Sequence, residues 1–369
     1  MCEKNFSQSF KITVMKKKNY THKTIRNSNV EILRLLCAFL IVISHMITNA
    51  YGDESPVPHS PSYIVFLTSV CSIMVSSFML ISGYYSISFS WRKLIKLECM
   101  VVLYSILFYV IGALQTHSLI WNDGYYGVVH ALFPIWTGSS WYICCYFVVL
   151  LLSNYLNKIK YSLDRVAFKS LILIHIFLFS FLPTIFYWGP VDGGSGKTLF
   201  IMITYYLLGQ YLAYYNIKID HKVKYALICI ILIFGGNYIA TFLLGSGLPH
   251  KVFTPFAREN SLLTVVLTTL VLLSLVEKPR YCKLLNDISS HSLAVILLDY
   301  SIKGIIENNF ELFSIPTNLW MRLVIIISES ALVLVIAIII DTVRVFIFTK
   351  FENKLADYCE KRFAKFKVL

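Results

Sequence analysis

Charged residues are scarce in this sequence: Asp, Glu, Lys and Arg make up 14% of its 369 positions, where a soluble domain carries about 25%. That shortage excludes a chain that covers its core with a water-facing polar shell. The hydrophobic share is 57% and the mean hydropathy +0.67, so lipid is the expected solvent. Paired cysteines are missing as well. The nine cysteines are scattered, no Cys-x-x-Cys occurs, and Cys144 and Cys145 are adjacent. This excludes a disulfide framework or a zinc site and leaves them as small apolar helix residues; no metal site is expected. No cleavable signal peptide is evident, because residues 1–28 are polar and basic and the first apolar run is too long for an h-region. Internal repeats and low-complexity tracts are absent too.

What is present is a series of apolar stretches. Crossing about 30 Å of hydrocarbon takes roughly 20 helical residues. Such stretches lie near 30–50, 63–88, 94–115, 139–157, 168–188, 198–215, 223–244, 258–276, 288–308 and 320–348. The expected fold class is all-α, a polytopic membrane protein of about ten transmembrane helices. The domains expected are a basic tail at 1–28, a ten-helix membrane domain at 29–348 and a basic amphipathic tail at 349–369 on the inner leaflet.

The net charge of +13 could mean nucleic acid or topology, and placement decides between them. With the N-terminus inside, the first tail holds seven Lys and Arg, ending at Arg26. The inner loops hold Arg92, Lys93 and Lys96; Lys158, Lys160, Arg165 and Lys169; Lys218, Lys222 and Lys224; Lys278, Arg280 and Lys283. The C-terminal end holds seven more from Arg344 onward. Thus 27 cations lie inside, against Lys197, Lys251, Arg258 and Arg322 outside. That asymmetry puts both termini in the cytoplasm and leaves no nucleic-acid patch. Trp121, Trp136, Trp141, Trp188 and Trp320 fall at outer helix ends, where amphipathic rings favour the interface. The outer connection 116–138 is long enough to help cover an outward-facing site.

Arg34 and Lys303 remain, both inside spans, where a charge is costly and marks a functional candidate. The first span is the most informative. Arg34 and His45 are eleven residues apart, about three turns plus 20°, so both lie on one stripe roughly 16 Å apart along the axis. Glu31 precedes Arg34 by one turn. Taken singly, Arg34 could snorkel to head groups and His45 could be a satisfied interior histidine. Together they place a fixed fork suited to phosphate near the inner surface and a titratable base deeper in.

These residues resemble acyltransferase family 3, integral membrane enzymes whose first helix carries an Arg, ten intervening residues and a His. Other segments agree in order. Phe78 through Ser82-Gly83-Tyr84 resembles the family's Phe-x-x-x-Ser-Gly-Tyr/Phe element, and Phe133-Pro134, Trp141-Tyr142 and Leu151 through Asn157 resemble its outer-loop Pro and Trp-Phe helix. Tyr205 through Gly209 and Tyr211 resembles its Tyr-x-x-Gly-x-Tyr element.

The resemblance implies an enzyme that moves an acyl group, most often acetyl, from acyl-CoA to a hydroxyl of a cell-surface or lipid-linked glycan in a bacterial envelope. It would be a multi-pass protein of the plasma (inner) membrane, with acetyl-CoA as co-substrate, no permanently bound cofactor, no nucleic-acid partner, and homo-oligomerisation open. His45 would be the general base or acyl carrier and Arg34 a partner of CoA or of the site's charge. Ser82 with Gly83 would wall the acyl-CoA pocket, and Arg92, Lys93 and Lys96 would lie where CoA phosphates sit, unless they are topology charges only. Glu31, Asp299 and Trp141 are auxiliary candidates. The sequence departs from the family at Asp299, where a histidine is usual. Asp299 and Lys303, one turn apart, would neutralise each other, or Asp299 would orient His45. Some relatives append an extracytoplasmic hydrolase-like domain; with 369 residues a stand-alone membrane transferase is expected here.

Other signals are weaker. Gly193 through Thr198 lacks the first glycine of a phosphate loop. His175 and Glu98 read as packing or helix-pairing residues, and Glu329 sits mid-span without a named partner. A transporter or flippase using Arg34, Asp299, Lys303 and Glu329 is the alternative. It lacks the repeats and broken helices that such proteins show.

Overall fold

A computed structural model describes residues 26–51, 61–118, 125–138, 140–186, 196–243, 254–310 and 318–363. The basic residues before Arg26, Trp121, Trp188, Gly193, Lys251 and residues 364–369 lie outside the described residues. Every regular element described is a helix. In chain order these are α1 (Ser28–Tyr51), α2 (Ser62–Cys71), α3 (Met74–Tyr84), α4 (Trp91–Thr116), α5 (Tyr125–Leu132), α6 (Trp141–Ser162) and α7 (Arg165–Ile176). Then come α8 (Leu182–Ile185), α9 (Leu199–Tyr214), α10 (Lys222–Leu243), α11 (Leu262–Val276), α12 (Lys283–Ser289), α13 (Ser292–Phe310) and α14 (Leu319–Phe363).

Local chemistry sets several boundaries. Ser90 caps α4 by accepting from Lys93 N at 3.3 Å, and Asp164 caps α7 by accepting from Ala167 N at 2.7 Å. Between α7 and α8 the helix widens into a π-helical stretch, Phe177–Phe181. Pro183, just beyond it, has no N–H for the regular ladder.

Seven helices among the described residues are long and apolar enough to cross a membrane: α1, α2 with α3, α4, α6, α7 through α8, α10 and α14. Three stretches expected to span fall outside that set. Helices α9 and α11 have 16 and 15 residues, roughly 24 and 22 Å of rise, and α13 carries Asp299, Lys303 and Glu307.

Helix α11 is short because the stretch before it is buried without being helical. Arg258, expected in an outer loop, is 7% exposed. It donates to the carbonyls of Pro255 and Pro183 at 3.2 Å each, Tyr205 donates to the Glu259 carbonyl at 2.8 Å, and Leu262 N donates to Thr184 at 3.0 Å. Backbone groups freed from the helix are thus met inside the protein, which hydrocarbon requires.

Helix α1 is the hub. It packs against α2, α3, α11, α12, α13 and α14. Its apolar window is 61% buried and that of α2–α3 is 72% buried, against 22–33% for α4, α6, α7, α10 and α14. The first two are therefore core, and the rest turn apolar faces outward. Two sequence motifs meet at the crossing of α3 and α9. A Cβ on Gly83 would sit 2.0 Å from the Tyr206 carbonyl oxygen, and one on Gly209 would sit 2.3 Å from that of Leu80. Small residues at both positions let the backbones touch.

Helix α14 has 45 residues, about 68 Å. As far as Phe363, the tail expected from 349 is the continuation of this helix, and it packs along α4. Phe363 stacks on Trp91 at 4.9 Å, and Arg92 meets Asp357, Glu360 and Asn353. These ring and ion contacts hold the end of α14 against the start of α4.

Gly83→Val is expected to lower the melting midpoint of the detergent-solubilised protein by the equivalent of about 3 kcal/mol, because backbone must move. Gly235→Ala, with nothing within 4 Å of its Cβ, should be neutral or slightly stabilising. Equal midpoints for the two variants would refute the close crossing.

Candidate active site

The stripe on α1 carries two polar centres. At its N-terminal end Glu31, 3% exposed, accepts from Arg26 at 2.7 Å, Arg34 at 2.8 Å and Ser289 at 2.6 Å. Two guanidinium groups share one carboxylate, so positive charge is left over there. The Arg34 guanidinium lies close enough to the hydroxyls of Tyr85, Tyr142 and Tyr146 to act on them electrostatically.

Farther along, His45 faces Asp299 of α13, with Nδ1 and Oδ2 2.5 Å apart. Asp299 is 1% exposed, and its other oxygen accepts from Tyr300 N at 2.7 Å. The Lys303 ammonium donates to the His45 carbonyl at 3.3 Å and lies 4.5 Å from the Tyr300 ring centroid. Asp299 and Lys303 therefore both turn to His45 across the α1–α13 interface. Of the two arrangements open in the sequence, the structure has the one that orients the histidine.

An ionised carboxylate only accepts hydrogen bonds, so the proton of a neutral His45 sits on Nδ1 and the lone pair on Nε2. The imidazole side chain is 39% exposed and borders a cavity of about 560 Å³. Asp299, Trp141, Tyr104, Ser301 and Lys197 are in its wall. A base held in one tautomer by a buried carboxylate, next to an open cavity, can take a proton from a bound hydroxyl and hold the resulting charge.

A second polar cluster backs this wall. The Tyr104 hydroxyl donates to Asp341 and accepts from Arg344 Nε at 3.0 Å. Asp341 also binds Arg344 at 2.6 Å and His291 Nδ1 at 2.6 Å, and Arg344 continues to Glu352. Sequence reasoning missed Tyr104, His291, Asp341 and Glu352 and counted Arg344 as a topology charge. The available signal was an Asp and an Arg three residues apart in an apolar helix.

The remaining predicted residues fall elsewhere. Ser82 donates to its own helix at the Phe78 carbonyl, 2.8 Å away, and Gly83 packs on α9, so neither borders this cavity. Arg92 is engaged by the end of α14. Lys93 donates to the Ser88 carbonyl at 2.8 Å, and Lys96 forms no ion pair among the described residues. His175 pairs with Thr204 at 3.2 Å, a packing contact between α7 and α9. Glu329 is buried, with no hydrogen-bond partner for either carboxylate oxygen among the described residues.

Asp341→Ala strands the buried Arg344 and His291 and is expected to destabilise the protein by about 3–5 kcal/mol, read as a lowered thermal midpoint in detergent. An unchanged midpoint would show that the cluster does not hold α4, α13 and α14 together.

Comparison with known proteins agrees with the geometry. No curated protein and no solved structure matches the chain. The acyltransferase domain of family 3 matches residues 27–342, from just before α1 into the last helix. The protein is a membrane acyltransferase, and the chain belongs to acyltransferase family 3.

Proposed function

We propose that this enzyme transfers an acetyl group from acetyl-CoA, taken from the cytoplasmic side, to a hydroxyl of a cell-surface or lipid-linked glycan. In this reading it resides in a bacterial plasma membrane, with ten spans and both termini inside. The contact of His45 with the buried Asp299 in the wall of an open cavity is the observation that carries the reading. The topology is supported by the 27 cations on one side of the chain against four on the other. Short α9 and α11 and charged α13 would complete the ten, their ends covered by neighbouring helices.

The chemistry follows from the tautomer. A glycan hydroxyl attacks the thioester carbon while His45 Nε2 takes its proton, and Asp299 stabilises the imidazolium that forms. The C–S bond then breaks, and the departing sulfur keeps its electron pair and receives the proton from His45. No net charge or proton is left behind. CoA is too polar to cross lipid, so its adenosine and phosphates stay at the inner surface while the pantetheine arm reaches inward. The surplus cation at Arg26, Arg34 and Glu31 would draw the anionic donor, with Lys93 and Lys96 available to its phosphates. Arg92, shared with Asp357 and Glu360, would hold that loop in place. Gly83 and Ser82 would fix the helix crossing beneath it. Trp141 and Tyr300 offer ring faces to a sugar from the other side of the cavity.

Membranes containing the protein, given labelled acetyl-CoA and envelope polysaccharide, should incorporate label. His45→Ala and Asp299→Asn should each cut the rate by about 10²- to 10⁴-fold. Undiminished labelling by His45→Ala would overturn the role of that residue. A reporter inserted at 121–124 should be extracytoplasmic and one at 350–363 cytoplasmic; the opposite signals would break the topology.

A further inference from the structure

Two connections between helices meet at the cavity that holds His45. One leads into α11 through 254–261 and is buried from Arg258 to Ser261 without being helical; the other leads into α9 through 196–198. Gly196 has φ +73°, and a Cβ there would lie 2.5 Å from Asn260 N, so the two backbones touch. Lys197 follows Gly196, Glu259 precedes Asn260, and both border the same cavity as His45, Asp299 and Trp141. Glu259 is 7% exposed, whereas Lys197 is exposed.

The longer connection is anchored from several helices. Phe256 N donates to Asn237 of α10 at 3.1 Å, and Arg258 donates to the Pro183 carbonyl of α8 at 3.2 Å. Tyr205 of α9 donates to the Glu259 carbonyl at 2.8 Å, and Thr264 of α11 to the Phe256 carbonyl at 3.0 Å. Non-helical backbone is tolerated inside a membrane protein only where protein buries it or where it lines a cavity. Here both hold. The bond from Tyr205 goes to a backbone carbonyl, which any residue offers, so it does not explain an acidic side chain. A buried charge in such a protein is costly and marks a functional candidate. Glu259 is therefore a second charged group at this cavity, held on a rigid support and separate in the chain from His45 and Asp299.

We propose that Glu259 and Lys197 form the acceptor subsite of this enzyme, which takes a neutral sugar residue by its hydroxyls. The inference rests on the acyl-transfer reading above. A carboxylate has two oxygens that accept from neighbouring hydroxyls, and an ammonium has three N–H donors for sugar oxygens. Trp141 adds a ring face for the apolar side of the sugar. A sugar carboxylate would meet Glu259 in a poorly hydrated cavity, where like charges repel strongly, so the class is neutral. On the topology proposed above both connections lie on the outer side, away from the cations that draw the donor. The subsite holds the sugar so that a further hydroxyl reaches His45 Nε2.

Kinetics with labelled acetyl-CoA test this. The acceptors are envelope polysaccharide and, separately, lipid-linked saccharide extracted from the same envelope; the one that takes label is the source of the sugar. Glu259→Gln should raise the KM for that acceptor by about 10-fold, because hydrogen bonds to a charged group are lost, while the KM for acetyl-CoA stays within about threefold. Lys197→Gln, at an exposed position where folding is not at stake, should raise the acceptor KM by about threefold or more. Glu259→Gln decides if its thermal midpoint in detergent matches the wild type, and Lys197→Gln decides if that midpoint falls. A rise of less than about threefold in the deciding variant would overturn the subsite. An equal rise in the KM for acetyl-CoA would overturn it too, by assigning the residues to the donor. The wild type labels an acceptor whether or not these two side chains hold it. A wild type that labels neither acceptor refutes the donor and acceptor reading, and with it the inference.

Discussion

Buried polar contacts between Glu31, His45 and Asp341 and residues of neighbouring elements organise the structure around α1. Removing one partner of such a pair costs about 3–5 kcal/mol, so each pair works as a joint between elements. Glu31 joins the start of α1 to Ser289 of α12. His45, deeper on the same helix, meets Asp299 of α13, and Asp341 joins α14 to Tyr104 of α4 and to His291 before α13. Apolar packing brings helices together in lipid without choosing a register. These joints choose it.

The same joints shape the cavity. Asp299 fixes the His45 ring, and Asp341 and Arg344 fix the Tyr104 wall. A catalytic base in a membrane enzyme must be polar enough to act and rigid enough not to collapse into its surroundings. The histidine is partly open to the cavity while its carboxylate partner is nearly sealed. This division keeps one ring nitrogen available and the other committed. The long α14 extends the principle toward its C-terminal end, where Arg92 is held by acidic residues some four to five turns beyond Asp341.

Much of this was legible in the sequence. The spacing of Arg34 and His45 placed them on one stripe with Glu31 one turn earlier, and the structure adds the bond between Glu31 and Arg34. The glycine motifs were visible but their meaning was not. Ser82-Gly83 and Gly209 were read as separate signatures, and only the crossing of α3 with α9 shows that each glycine makes room for the other helix. Arg258 read as an outer-loop cation from its place between two apolar stretches, while its partners, the carbonyls of Pro255 and Pro183, come partly from a helix far away in the chain.

The sequence by itself determined the solvent, the helical class, the family and the stripe on the first helix, because hydropathy and helical period are properties of contiguous residues. Tertiary structure decided which of two partners Asp299 takes, and that His291, Asp341 and Tyr104 form one cluster. Those outcomes depend on which helix faces ring together around α1. Residues 254 positions apart, as His45 and Asp299 are, leave no periodic signal of their meeting; packing alone brings the imidazole to the carboxylate.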